Sequence, residues 1–329
     1  MSQPQTELAR VGRYSVLRRI GEGGMSIVYR AYDPELDRQI ALKLLRPDDP
    51  DDREGSARLV REARAMAKIS HPNVAQVYDA GIAGSSVYVA MELIEGPSLD
   101  RWTAEMPRPW TELVRMYLQA GRGLAAAHAA GLVHRDFKPD NVMVGADGRP
   151  RVLDFGLARP APLDAEDVLL LDDDERLVAD DEYAQLSGEG EDRLEPKRRE
   201  PSAPSRSGEF DLQFDVTRTG LVSGTPAYMA PEQHRGEPGG AAADQFAFCV
   251  ALWEALYRKR PYEGRNYFEL SDAILNGRRS SVPRGTHVPG WLQHQLERGL
   301  AIEPRDRHPS VQSLLASIVF TFRVMHGPI

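Results

Sequence analysis

The chain has 329 residues, 41% of them apolar and 27% charged, and its formal net charge at pH 7 is -8. That length predicts two domains or lobes and a sizeable core. The one cysteine, Cys249, excludes an intramolecular disulfide and argues against a thiolate zinc site. The longest apolar stretch, Phe246 to Tyr257, has 12 residues and contains Glu254. A membrane helix needs about 20. The first residues, MSQPQTELARVGRYSV, hold no apolar core of a signal peptide. A cytoplasmic protein with no membrane segment is expected, and the acidic balance argues against a nucleic-acid binder.

In chain order, residues 1–13 read as a tail. Residues 14–45 are rich in Val, Ile, Tyr and Leu and are broken by Gly and Asp-Pro signals, which predicts antiparallel strands joined by tight turns. A helix is expected from about Ser56 to Ile69, where Leu59, Glu62, Met66 and Ile69 recur at helical spacing. A strand at Val87–Met91 and a linker near Glu95-Gly96-Pro97 follow. Leu113, Met116, Ala120, Leu124 and Ala127 then mark a long helix ending before Gly131. After residue 225 the chain reads as mainly helical, most clearly over 241–258 and 290–301. A small β-rich lobe, 14–94, thus precedes a larger helical lobe, 95–320, with 321–329 as a C-terminal tail.

Charge is unevenly spread. Ala161 to Val216 carries 18 acidic and 6 basic residues, a net of -12, which leaves +4 for the rest. This stretch cannot bury enough apolar area to offset ordering entropy and reads as a disordered insertion. The run Val168-Leu169-Leu170-Leu171 is the exception, apolar enough to form a short docked element. Lys197-Arg198-Arg199 is too short a basic run to imply nucleic-acid binding.

Four segments carry candidate chemistry. Gly21-Glu22-Gly23-Gly24-Met25-Ser26-Ile27-Val28 lies between strand-like runs, where glycines let backbone amides approach a polyphosphate. Nothing helical follows Val28, so a dinucleotide or Walker-type loop is disfavoured, and a Gly-rich hairpin without ligand stays open. Lys43, inside Ile40-Ala41-Leu42-Lys43-Leu44-Leu45, either points to solvent or is buried and paired, with Glu62 as its natural partner. His134-Arg135-Asp136-Phe137-Lys138-Pro139-Asp140-Asn141 crowds charge beside the apolar Val142-Met143-Val144. An Asp and an Asn five apart can hold a hydroxyl and a metal side by side. Asp154, in Asp154-Phe155-Gly156, adds a second hard oxygen ligand of the kind magnesium prefers. Taken alone, these residues are also compatible with ordinary turn caps.

Together the segments resemble the signature set of the eukaryotic-like (Hanks-type) protein kinases. The Gly-rich loop, Ile-Ala-Leu-Lys, His-Arg-Asp with Asn five residues on, Asp-Phe-Gly and Ala230-Pro231-Glu232 occur in family order over roughly residues 14–318, apart from the insertion. GEGGMS, HRDFKPDN and GTPAYMAPEQ are most similar to bacterial serine/threonine kinases. The resemblance implies an α+β, bilobal kinase fold: a small antiparallel β lobe with one regulatory helix, plus a larger mainly helical lobe. It implies a non-specific serine/threonine protein kinase that uses ATP with Mg²⁺ (or Mn²⁺), acts on protein substrates, and forms a transient homodimer for trans-autophosphorylation.

The residue roles follow from the same resemblance. Gly21, Glu22, Gly23, Gly24, Met25, Ser26 and Val28 would cover the ATP phosphates, with Val28 and Ala41 enclosing the adenine and Met143 also counted among the ATP-binding residues. Met91 matches the gatekeeper, and Glu92 and Ile94 the hinge. Lys43 would contact the α- and β-phosphates and pair with Glu62. Asp136 matches the catalytic base, Lys138 a γ-phosphate contact, and Asn141 and Asp154 the metal ligands. Glu232 would pair with Arg307, Asp244 would anchor the catalytic loop, and Thr225 would contact Asp136 and Lys138. Arg135 calls for a phosphate in the activation segment, with Thr217 and Thr219 as its sites.

The sequence departs from the pattern in three places. Ser26 replaces the third loop glycine, Glu303-Pro304 stands for Asp-Pro, and the insertion puts Asp154 and Glu232 78 positions apart. The insertion is either a tolerated loop or a regulatory element that mimics the activating phosphate or blocks the cleft. Two other functions compete: a catalytically inert nucleotide-binding scaffold, and a small-molecule kinase. Magnesium-dependent turnover discriminates against the first, and the Gly224-Thr225-Pro226 and Ala230-Pro231-Glu232 segment against the second. The chain stops about ten residues after the last expected helix, so input is expected from partners, from the insertion or from autophosphorylation.

Overall fold

A computed structural model describes residues 9–23, 26–45, 53–84, 86–155 and 226–326. The insertion at 161–216, Gly24, Met25, Gly156, Thr217, Thr219 and Thr225 lie outside the described residues.

The small lobe is a six-stranded antiparallel sheet. Its strands are β1 (Arg10–Val11), β2 (Tyr14–Gly23), β3 (Ser26–Asp33), β4 (Arg38–Leu45), β5 (Val77–Ala83) and β6 (Ser86–Met91). Their order is β1-β2-β3-β4-β6-β5. Helix α1 (Arg53–Met66) packs on β5 and β6. β1 pairs with β2 through Arg10–Ser15 and Val11–Tyr14, so the expected N-terminal tail contributes an edge strand. α1 starts and ends three residues earlier than the spacing predicts. Ile69 lies beyond it yet is buried, which is why its periodicity looked helical.

The larger lobe contains α2 (Leu99–Ala104), α3 (Trp110–Ala129), the hairpin β7 (Val142–Val144) and β8 (Pro150–Val152), α4 (Pro231–His234), α5 (Ala241–Tyr257), α6 (Tyr267–Leu275), α7 (Gly290–Gly299) and α8 (Val311–His326). α5 is buried nearly all round and forms the axis against which α3, α7 and α8 pack. A helix this apolar on every side belongs inside a lobe. α8 runs through the region expected to be a tail and buries Phe322 against Trp110. The aromatic anchor supplies the apolar contact that extends the helix past residue 320.

Two joints position the site. α3 ends in a Schellman turn: Gly131 N–H donates to His128 O and Leu132 N–H to Ala127 O, with Gly131 at φ 77°. That turn aims the chain into His134–Asn141. At the hinge, Gly96 has φ 157°, and a Cβ there would lie 1.9 Å from Val144 O. Only glycine lets the linker approach β7 this closely.

Candidate active site

The ATP-side residues converge through strand register. Gly21 pairs with Val28, Val28 with Lys43, Lys43 with Val89, and Ala41 with Met91. Directly opposed residues share a face, and residues two apart share it too, so Gly21, Val28, Lys43, Ala41 and Met91 lie on one face of the sheet. Ala41 and Met91 are buried, and Val28 packs against the main core. Gly23 opposes Ser26 at the hairpin end, beside an exposed Glu22. Glu92 N–H donates to Gln76 O at 2.8 Å, and its carboxylate meets Arg151 at 2.9 Å. Ile94 follows in the hinge, and Met143 bridges to Ser98 just beyond it.

Lys43 is 9% exposed. Its ammonium lies 2.8 Å from Asp154 Oδ1, and it forms no ion pair with Glu62. The expected Lys43–Glu62 pair is therefore not made in this structure. Asp154 already satisfies the buried ammonium, and half-exposed Glu62 keeps its hydration instead. Burial acts to raise the Asp154 carboxyl. The Lys43 charge, helped by His134 and Lys138, outweighs it and holds the carboxyl below its usual range.

The loop between α3 and β7 is fixed from beneath. Asp244, fully buried on α5, accepts from His134 N–H and Arg135 N–H, both at 2.7 Å, and from His128 Nε2 at 2.7 Å. These bonds hold Arg135 at φ 68°. A non-glycine residue rarely adopts that conformation without external constraint. Asp136 follows, its carboxylate 3.3 Å from Lys138 Nζ. Asn141 Nδ2 donates to Asp136 O at 2.8 Å and to Asp136 Oδ2 at 3.3 Å. Leu153 N–H donates to Asn141 O at 2.8 Å, which places Asn141 next to Asp154. Asp154 also has a left-handed backbone, φ 59°, and Phe155 turns inward to pack on His134, 4.8 Å between ring centroids.

This donor set fits a divalent cation. The Asn141 amide nitrogen is committed to Asp136, leaving its side-chain oxygen as the ligating atom. The Asp154 carboxyl is held ionised, and both are hard oxygen donors.

Farther out, Glu232 and Arg307 form a buried two-pronged ion pair, at 2.7 and 2.6 Å. Arg307 also donates to Ala301 O, Ala242 O and Ile302 O, so all five of its N–H groups are used. Two residues escaped the sequence reading. His128 completes the Asp244 cluster. Gln233 ties α4 to the loop, accepting from Ala230 N–H at 2.9 Å and donating to Arg135 O at 3.1 Å. A polar residue directly after Ala-Pro-Glu was the one available signal for Gln233.

The fold and this arrangement define a protein kinase domain, and comparison with known proteins agrees. The family model described as "Protein kinase domain" matches residues 14–175. Over 318 residues the chain is 30% identical to the serine/threonine-protein kinase PknD of Chlamydia caviae, covering 93% of this chain and 31% of that protein. It is 29% identical over 313 residues to PrkC of Bacillus subtilis, covering 94% and 41%. It is 31% identical over 313 residues to PknA of Mycobacterium tuberculosis, covering 93% and 61%. The chain thus spans between about a third and three fifths of the length of these curated relatives. The crystal structure of a mutant Mycobacterium tuberculosis PknI kinase domain superposes with a TM-score of 0.60 at 21% identity, covering 96% of this chain and 98% of that one. Residues 14–175 belong to the protein kinase domain family, and the chain has the fold of a protein kinase. No helix among the described residues is long and apolar enough to cross a membrane.

Proposed function

We propose that this chain is a serine/threonine protein kinase that transfers the γ-phosphoryl group of ATP to hydroxyls of proteins. The observation that carries the reading is two adjoining groups, the Lys43–Asp154 pair between the lobes at 2.8 Å and Asp136 with Lys138 and Asn141 at 2.8 to 3.3 Å, joined by the Leu153 N–H to Asn141 O bond. Phosphoryl transfer needs in-line positioning and charge neutralisation more than covalent help from the protein. ATP with magnesium supplies the phosphoryl group and offsets part of its charge.

The chain's own residues do the rest. Asp136 accepts a hydrogen bond from the substrate hydroxyl and orients it. Asn141 holds Asp136 in place through its amide nitrogen, and its side-chain oxygen, with Asp154, would hold the metal. Lys138, beside Asp136, offers positive charge to the transferring group, and Lys43 does so for the other phosphates. Glu62 would pair with Lys43, leaving the Asp154 carboxylate as one of the groups that would hold the metal. Glycines 21, 23 and 24, with Glu22, Met25, Ser26 and Val28, cover the phosphates. Ala41, Met91, Met143 and the backbone of Glu92 and Ile94 hold the adenine. Glu232, Asp244 and Arg307 fix the frame, and Thr225 would, by the family resemblance, contact Asp136 and Lys138.

The same reading includes autophosphorylation in trans at Thr217 or Thr219 within a transient homodimer. The phosphate would answer the cationic Arg135. A cytoplasmic setting suits an ATP-dependent enzyme with one buried thiol. Labelled ATP with magnesium, comparing the wild-type chain with Asp136→Asn, followed by mass-spectrometric mapping, tests the proposal. Label on Thr217 or Thr219 in the wild type alone is expected. Absence of label on the chain and on generic protein substrates, with ATP still bound, would overturn it.

A further inference from the structure

Outside the cleft, a groove of about 580 Å³ lies between α1 and β5, lined by Ala57, Val60, Arg61, Arg64, Gly81 and Ile82. Its floor is apolar: Val60 is nearly covered, while Ile82 stands 57% exposed at the edge. The helix side ends in two guanidinium groups. Neither Arg61 nor Arg64 has a carboxylate within ion-pairing distance among the described residues, although the lobe contains many such pairs. An exposed β-branched side chain beside two cations with no ion pair among the described residues suits an apolar segment flanked by acids.

The unbroken apolar run of the acidic insertion fits that description best. Glu166-Asp167-Val168-Leu169-Leu170-Leu171-Asp172-Asp173-Asp174-Glu175 puts four consecutive apolar residues between two and four acidic ones, with no basic residue. It also holds the longest unbroken apolar run in the acidic insertion, which favours its burial over segments where apolar and acidic residues alternate. Reach permits the contact. The thirteen residue steps from Phe155 to Val168 span at most about 43 Å, while Asp154 meets Lys43, which opposes Val89, which opposes Ala80, so β5 lies two strand spacings, about 10 Å, from β4. We infer that residues 166–175 dock in the α1–β5 groove of the same chain, with the Val168–Leu171 run on Val60, Gly81 and Ile82 and the flanking acids against Arg61 and Arg64. Burial of the apolar run supplies non-directional attraction. The charges set orientation, with a contribution that salt reduces. The contact attaches the insertion to the helix that bears Glu62. It does not depend on phosphoryl transfer, so its test reads proximity rather than turnover.

The single native thiol makes that test clean. Cys249 is fully buried, and burial pushes its thiol far up, so introduced cysteines report alone. In the full chain, Ile82→Cys with Leu170→Cys is expected to form an intrachain disulfide under mild oxidation. The yield should be at least about fivefold above that of Leu36→Cys with Leu170→Cys, where Leu36 is equally exposed at 58% but lies on the distant β3–β4 turn. Adding Arg61→Glu and Arg64→Glu to the first pair should reduce the yield at least about fivefold, and raising salt from about 0.05 to about 1 M should reduce it in part. Equal yields at positions 82 and 36 would overturn the inference, and so would indifference to the arginine changes. A disulfide found only between two chains on a non-reducing gel would overturn it in favour of a second copy as occupant. Unchanged circular dichroism of each variant guards against misfolding as the cause of a low yield.

Discussion

The Lys43 ammonium lies 2.8 Å from Asp154, and that contact joins β4 of the small lobe to the second residue after β8 in the large one. It occupies both groups that the proposed chemistry needs separately, the lysine for phosphates and the carboxylate for metal. Under the proposed mechanism turnover would exchange these partners, with Glu62 taking over Lys43.

That exchange separates stability from activity. Glu62 has no ion-pair partner among the described residues, so Glu62→Gln should leave the unfolding free energy within about 0.5 kcal/mol of wild type. The same variant should lower kcat/KM at least about tenfold, equivalent to about 1.4 kcal/mol of transition-state stabilisation. Chemical denaturation and steady-state kinetics on one preparation check both. Unaltered kinetics would remove Glu62 from the mechanism.

The Glu232–Arg307 pair should behave in the opposite way. Arg307 is fully buried and spends five donors on one carboxylate and three carbonyls. Removing one charge strands the other in the core, at a cost of about 3–5 kcal/mol. Glu232→Gln should lower stability by about that amount. Arg307→Lys should do nearly as badly, because an ammonium has three donors and cannot match a planar fork. Denaturant midpoints for the two variants measure this. A lysine variant as stable as wild type would mean that charge alone, not the fork geometry, holds the segment.

How much of this was legible in the sequence depended on whether a signal was local. Lys43, Asp136, Asn141 and Asp154 stand in short ordered motifs, and the strand and helix periods around them are strong. Glu232–Arg307 and Asp244 came from the same resemblance, and the structure joins the first pair and sets Asp244 under the catalytic loop. Tertiary facts were out of reach. The spacing of Glu62 on the face of α1 suggested a pair with Lys43, but nothing in it says that Asp154 competes for the same ammonium. His128 looked like one more residue in an alanine-rich helix end until the Gly131 turn brought it to Asp244. The extent of α8 was missed because Phe322 gains its helical partner, Trp110, from over two hundred residues away.

Gln233 gives a finer test of positioning. Its amide accepts at one end and donates at the other, from Ala230 N–H and to Arg135 O. Gln233→Glu keeps the size and loses the donor, placing a carboxylate oxygen against the Arg135 carbonyl. The expected result is a fall of about tenfold in kcat, the order of one lost hydrogen bond plus repulsion, with KM for ATP unchanged because the adenine side is untouched. Equal changes in kcat and in KM for ATP would point to a general loosening of the lobe instead.

His234 supplies the pH dependence. Its ring lies beside Tyr267, 5.6 Å between centroids, and burial pushes the imidazole down to about 4. An unfolded histidine titrates near about 6.5. Between these values the unfolded chain binds a proton that the folded chain refuses, so stability rises with pH across that window and is lost as the pH falls from about 6.5 toward 4. The loss attributable to this residue should approach about 3 kcal/mol at the acid end. Guanidinium unfolding of wild type and His234→Asn at several pH values between about 7.5 and 4.5 isolates it, since carboxylates titrate in both proteins. The two stability curves should converge as the pH falls, the wild type losing more. Parallel curves would mean that the ring accepts its proton without opening the packing between α4 and α6, and that the acid sensitivity of the large lobe lies elsewhere.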